Sequence, residues 1–358
     1  RIFYREAKTL SEQGYNVYLI APHYKEDFID SIKIIPTSTT KREGVYRFIG
    51  AFKAFLKALK INANVYHIHD PELIPVAIIL KLLGKKVIYD VHENLALHIY
   101  SKSGIPSLFQ KPLSIIVRSI EWVSLFFFTK IIIAGEDIGL QSHFQKFSSK
   151  IILLRNFPVI SLSEEEIFPK PKDKISFIYT GGLLEYRGIL EIIQAFKEIK
   201  EKDIELLLLG NFNSEDFKRK IIDEIKECDN IKYIPSLPYK EMFAILAKCH
   251  VGLICFEPAP NNIEALSGRN NKIYEYLQGG LAIIGSNFPS WVDFIEGHKI
   301  GLTVNPREPL QIKKAMEFFI FNPQKLQEME YNAKKLSYKY SWELESQKLI
   351  DLYRELLG

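Results

Sequence analysis

A chain of 358 residues, 47% hydrophobic and 25% charged, has the apolar content to bury two ordinary globular cores. Its formal charge of +4 is too small to draw in a nucleic acid, and no basic run interleaved with aromatics marks a single-strand groove. Three cysteines (Cys228, Cys249, Cys255) are too few for a disulfide framework, which fits a reducing, cytoplasmic compartment with the thiols as small buried groups.

The opening Arg1-Ile2-Phe3-Tyr4-Arg5-Glu6 is not a basic stretch running into an apolar one, so no secretory leader is read there. Phe3–Gln13 has helical periodicity and feeds a strand at Asn16–Ile20. Further strands are predicted at Ile32–Pro36, Val65–Ile68, Lys86–Val91, Ile131–Ala134 and Ile151–Leu154. Several are apolar on every residue, the pattern of parallel strands covered on both faces. Helical stretches such as Glu72–Leu83 separate them, and the alternation implies a doubly wound parallel sheet. Such a domain ordinarily opens on a strand, so the helix-first start predicts that a first strand and its turn are missing. The most apolar region, Leu113–Ala134, is interrupted by Arg118, Glu121 and Lys130, and is expected to be a buried helix followed by a buried strand.

Ser161–Lys174, acidic and then rich in Pro and Lys, has a linker's composition. The β/α pattern restarts with Ile175–Tyr179, Glu205–Leu209, Ile231–Ile234, Val251–Cys255, Ala282–Ile284 and Leu302–Val304. The predicted domains are therefore 1–157 and 175–340, joined by a linker at 158–174, with a last helix (341–358) returning to the first domain. A cleft between the carboxyl ends of their strands would take the ligand.

Three stretches carry chemistry. Arg269–Gly280 reads as a helix, with Asn270 and Asn271 suited to its N-cap and Gly279-Gly280 to its stop. Lys272 and Glu275 share one face of it, and a first-turn lysine is favourable beside a bound anion; a plain surface Lys–Glu pair fits the spacing equally. Tyr179–Gly188 leaves a strand through Gly181-Gly182, where backbone can approach a ligand, and sets Arg187 ahead of the next helix. A glycine-rich turn with a solvated arginine is the plainer reading. His69-Asp70 and His92-Glu93 end two strands facing the expected cleft. His67 and His69 would share a strand side and so could pair on a metal, but hydrogen-bonded core histidine is the default for His67. His92-Glu93 is no zinc-protease motif, because Ala96 stands where a second histidine belongs. Nor is there an Asp-x-Asp pair of the kind that holds a nucleotide-bound cation.

Together these segments resemble the GT-B glycosyltransferases of the retaining group-1, family 4-like type found in bacterial surface polysaccharide synthesis. HIHDPELIP (67–75), KKVIYDVHEN (85–94), LLRNFP (153–158), YTGGLLEYRGI (179–189), NNKIYEYLQGG (270–280) and YSWE (340–343) carry the likeness in order over nearly the whole chain. The resemblance implies two Rossmann-like domains facing a cleft, an acceptor-binding N-terminal domain and a C-terminal domain for the nucleotide sugar. It implies that Gly181, Gly182, Arg187, Asn271, Lys272 and Glu275 bind the donor, Glu275 at the ribose and Arg187 with Lys272 at the diphosphate. His92 would stand beside the transferred sugar, and His69, Asp70, Glu93 and Asn156 would line the acceptor side. No cofactor and no metal are expected, since Arg187, Lys272 and helix N-termini would stabilise the departing diphosphate. Two positions depart from the family pattern: Ser267 stands where the first glutamate of the Glu-x7-Glu motif belongs, and Gly182 where many members have a second arginine.

Lys41, Arg42, Arg47, Lys53, Lys57 and Lys60 with Phe48, Phe52 and Phe55 form a basic amphipathic stretch. It predicts either a peripheral contact with the inner face of the plasma membrane, where lipid-linked acceptors lie, or a solvated helix with its apolar side inward. Two alternatives to sugar transfer are a nucleotide-sugar epimerase on the same fold and a non-catalytic partner subunit that binds glycan or nucleotide.

Overall fold

The computed structural model describes residues 1–37, 45–91, 99, 106–135, 142–160, 162–258 and 271–358. The described residues form two compact units: one up to Asn156 together with Glu343–Gly358, the other from Phe157 to Trp342.

The first unit opens on a wide helical turn, Ile2–Ala7, that tightens into α1 (Lys8–Glu12). β1 (Val17–Ala21) pairs in parallel with β3 (Ile32–Pro36), and the short β2 (Asp27–Ile29) runs antiparallel to β3. Asp30 and Ser31, both at positive φ (50° and 62°), make the two-residue turn of that hairpin. A separate parallel sheet has the order β4 (Val65–Ile68), β5 (Lys86–Val91), β6 (Lys130–Ile133), β7 (Ile151–Leu153). The strands of this unit thus lie in two sheets, where the alternating pattern implies one. Among the helices are α2 (Val45–Ile61), α3 (Ile74–Leu82) and α4 (Ser107–Ser124). Tyr66, Ile68, Val87, Tyr89, Ile131 and Phe128 form the centre of the core.

The expectation of a buried helix near residue 113 fails. On α4 it is Ser114, Glu121 and the terminal Ser124 that are buried, while Leu108, Phe109, Ile116 and Ile120 stand in the open. Glu121 turns inward because Tyr89, buried on β5, donates its hydroxyl to Glu121 Oε1 at 3.4 Å.

The second unit has a single six-stranded parallel sheet, in the order β10-β9-β8-β11-β12-β13. Its strands are β8 (Ile175–Thr180), β9 (Ile204–Leu209), β10 (Ile231–Ile234), β11 (Val251–Ile254), β12 (Ala282–Ser286) and β13 (Gly301–Val304). β9, β11 and β12 are buried at every position, as strands roofed on both faces must be. The helices begin with α5 (Ile189–Lys197), α6 (Glu215–Ile225), α7 (Tyr239–Leu246) and α8 (Asn271–Gln278). The stretch with linker composition packs on this unit. Ser163 and Glu166 cap its short helix reciprocally, and the buried Lys170 donates to Cys249 O (2.5 Å) and Gly279 O (2.7 Å). The last helix, α12 after α9 (Pro289–Ile295), α10 (Pro309–Phe321) and α11 (Pro323–Ser337), spans Trp342–Leu357 and belongs with the first unit. There Glu345 accepts the Arg155 backbone N–H at 2.8 Å, and Leu356 O accepts from Lys86.

Candidate functional site

In the second unit the strand order reverses between β8 and β11, the switch point at which open α/β sheets bind ligands. The two strands pair only at Val251 with Phe177 and Gly252 with Ile178. Past that point the buried Tyr276 of α8 holds them. Its hydroxyl accepts Thr180 N–H at 2.9 Å and lies 3.3 Å from both Ile178 O and Leu253 O. Gly252 leaves room for that ring, since a Cβ there would collide with it. One aromatic residue thereby ties α8 to the mouth of the sheet.

Lys272 and Arg187 meet at this mouth. β8 runs out into Gly181, whose φ of 100° favours glycine; a Cβ there would stand 2.6 Å from Lys272 Cε and 2.8 Å from Nζ. Arg187 closes a 3-10 turn (Glu185–Arg187) just before α5, and its guanidinium carbon sits 4.0 Å from the centre of the Phe256 ring. Lys272 Nζ lies 5.5 Å from the same ring and 5.8 Å from that of Tyr179. Two cations thus approach one aromatic ring. Burial first, and Arg187 second, lower the Lys272 ammonium to about 8, against the charge of Glu275 one turn along α8. Arg187 Nε and Asn271 Oδ1 are buried with no hydrogen-bond partner. Such atoms cost free energy until a ligand meets them.

Gly181, Arg187, Asn271, Lys272 and Glu275 therefore cluster at one strand end. Gly182 is exposed and takes part through its carbonyl, which accepts the Tyr179 hydroxyl at 2.8 Å. Phe256 and Tyr276 belong to the same constellation without having stood out in the sequence, where an aromatic at a strand end or on a helix reads as core.

In the first unit His69 stands beside Asp90, its Nδ1 3.2 Å from Asp90 Oδ2, with Nε2 3.7 Å from Glu6 Oε2. His67 stacks on His69 at 4.5 Å and shares its Nδ1 hydrogen bond with Tyr353 Oη at 3.2 Å. Burial, then the neighbouring His69 ring, lower His67 to about 4. Glu6, His67, His69 and Asp90 each bring one potential ligand atom within 4.8 Å of the others, so the four could enclose a cation. The Arg1 guanidinium is the cation they meet: its Nη2 is 3.0 Å from Asp90 Oδ2 and its Nε donates to Glu6. Burial raises the Glu6 carboxyl, but Arg1, His69 and His67 outweigh it and hold Glu6 well below the carboxylate range. Asp70 is exposed and its carbonyl closes a turn, accepting Leu73 N–H at 3.0 Å. Asn156 accepts from Arg5 Nη1 at both its carbonyl and its side-chain oxygen. His92, Glu93 and Ser267 lie outside the described residues.

A doubly wound sheet with two cations and a glycine turn at its switch point is an arrangement suited to an anionic ligand. A family model described as "Glycosyl transferases group 1" matches residues 162–336, and one described as "Glycosyltransferase Family 4" matches residues 1–138. Between them they account for most of the chain, which carries the domains of the group 1 and family 4 glycosyltransferases. Among solved structures, it is similar to a glycosyltransferase from Rickettsia africae, with a TM-score of 0.70 and 15% identity over 98% of this chain and 93% of that one. The sucrose-phosphate synthase of Thermosynechococcus elongatus gives a TM-score of 0.76 and 14% identity over 98% and 91%. HepE of Anabaena, solved in complex with UDP-glucose, gives 0.68 and 12% over 95% and 100%. Likenesses at this identity show a shared fold.

Proposed function

We propose that the protein transfers a sugar from a nucleoside-diphosphate donor to a glycan or lipid-linked acceptor, with retention of configuration, without a metal and on the cytoplasmic side. The observation that carries this is the convergence of Arg187 and Lys272 on Phe256 at the switch point, with the Arg187 Nε and Asn271 Oδ1 atoms unpartnered beside them. A diphosphate placed there meets one planar guanidinium, one ammonium and the N-terminus of α8. Glu275, one turn further on, would accept hydroxyls of a ribose, the role that the family resemblance implies for it. HepE, of the same fold, is known with UDP-glucose, which supports a nucleotide-sugar donor.

In the reaction the bond between the anomeric carbon and the diphosphate oxygen breaks as the acceptor oxygen bonds to that carbon from the same face. Charge builds on the leaving diphosphate, where Arg187 and Lys272 stabilise it in place of a bound cation. The acceptor proton passes to a leaving phosphate oxygen. Retention is the course that the family resemblance implies.

The test is product analysis with EDTA present, using a panel of nucleotide sugars with and without extracted lipid-linked glycan. Nucleoside diphosphate released in step with sugar incorporated supports the reading. An isomerised nucleotide sugar formed without acceptor would make the protein an epimerase.

A further inference from the structure

The helix α4 carries its side chains the wrong way round for a helix in water. Positions three and four apart share a helical face, and Leu108, Phe109, Leu113, Ile116, Ile120 and Val123 form one continuous stripe. All six are exposed, Leu108 at 79%, Phe109 at 59%, Ile116 at 54% and Ile120 at 57%. The opposite side, with Ser114 and Glu121, is buried. An apolar stripe of this length facing water signals an apolar covering. The charges say which kind. Ile115, 57% exposed, widens the apolar face, and Lys111 and Arg118, four before and three after it, are exposed just beyond that edge, while the exposed Lys146 stands 5.8 Å from the ring of Trp122 near the helix's far end. Glu121 is the helix's one acidic residue and points inward. A second copy packed on this face would set one cationic margin against another. No described helix is long and apolar enough to cross a membrane, and α4 carries Pro112 within it.

We infer that α4 lies in the plane of an anionic lipid surface, its Leu108–Val123 stripe among the acyl chains and its lysines at the headgroups. This goes beyond the expectation attached to α2, on which Phe52 and Lys53 are exposed but Phe55 and Lys57 are half-buried; Lys41 and Arg42 there lie outside the described residues. It does not rest on the sugar-transfer reading.

The test is cosedimentation of the full chain with vesicles of phosphatidylcholine alone and with about one third phosphatidylglycerol, at low and high salt. The chain should pellet with the anionic vesicles, and added salt should release it. Ile116→Glu with Ile120→Glu should reduce binding at least tenfold with an unchanged melting temperature, since both side chains are already in water. Lys111→Glu should remove the preference for anionic lipid. Absence of binding to anionic vesicles would overturn the inference, as would equal binding to neutral ones. So would loss of binding in Phe52→Glu with Leu56→Glu while the α4 variant still binds, or a dimer in velocity sedimentation that Ile116→Glu dissolves.

Discussion

Lys272 is pressed from two sides: burial strips its hydration and Arg187 repels it, while the charge of Glu275 acts against both. Such a lysine is held in readiness for an anion. A diphosphate would return it to full protonation, so the complex holds a proton that the empty site gives up as pH rises past about 8. Affinity for nucleoside diphosphate should therefore be flat below that pH and fall above it, by up to about tenfold per unit. Titration calorimetry from pH 7 to 10 reads this directly, and Lys272→Met should abolish the slope. Arg187→Ala should weaken the same binding by about 2 kcal/mol, roughly thirtyfold, the worth of a charged hydrogen-bonding group. Arg187→Lys should recover only part of that, because an ammonium lacks the planar, forked set of donors that the guanidinium holds over Phe256.

At the scale of elements, α8 owes its position to Tyr276, whose hydroxyl satisfies a strand amide where β8 and β11 part. Tyr276→Phe leaves Thr180 N–H buried and unpaired, at about 2 kcal/mol. The second unit should melt about 4–8 °C earlier, as calorimetry or near-ultraviolet circular dichroism would show. Much at this scale was legible beforehand. Strands such as Ile32–Pro36, Val65–Ile68 and Ile231–Ile234 are found at their predicted bounds, because short runs rich in β-branched and aromatic residues between turns have few alternatives even with Lys33, His67 or Lys232 inside them. β2 escapes, since its hairpin turn is Asp30-Ser31 in place of the usual glycine pair. α4 misleads because hydrophobicity reports what a side chain prefers; only the Tyr89–Glu121 contact, made across the fold, shows which side is down. The residue types of the site were legible too, in Gly181, Arg187, Lys272 and Glu275. That Phe256 serves both cations depends on the strand order, which no local pattern reveals.

At the scale of the whole molecule, each unit carries a buried neutral histidine, and acid acts on both in one direction. His67 and His250 are lowered to about 4, chiefly by burial, with the His69 ring next for His67 and Lys170 next for His250. His250 also accepts Ser176 N–H at Nδ1 and donates from Nε2 to Pro171 O. The unfolded chain takes up these protons first, near its ordinary pKa of about 6.5. Stability should therefore fall as pH drops from about 6.5 towards 4 in both units, and calorimetric melting across that range should show it. Tyr353, on the last helix, is buried in the first unit beside His67. Tyr353→Ala should lower that unit's transition by about 3 kcal/mol and leave the other transition where it was. Of the cluster of Arg1, Glu6, His67, His69 and Asp90, the chain shows only that His67 and His69 share a strand side; the other three join from up to 89 positions away, and no local pattern links them.

The central claim is that the switch point of the second unit receives a nucleoside diphosphate without a metal. Titration of the purified chain with UDP, GDP, ADP and CMP in EDTA tests it most directly. The account predicts saturable binding of one nucleoside diphosphate, weakened in Arg187→Ala and Lys272→Ala and absent for the monophosphate. Binding that vanishes with EDTA, or that survives both substitutions unchanged, would contradict it.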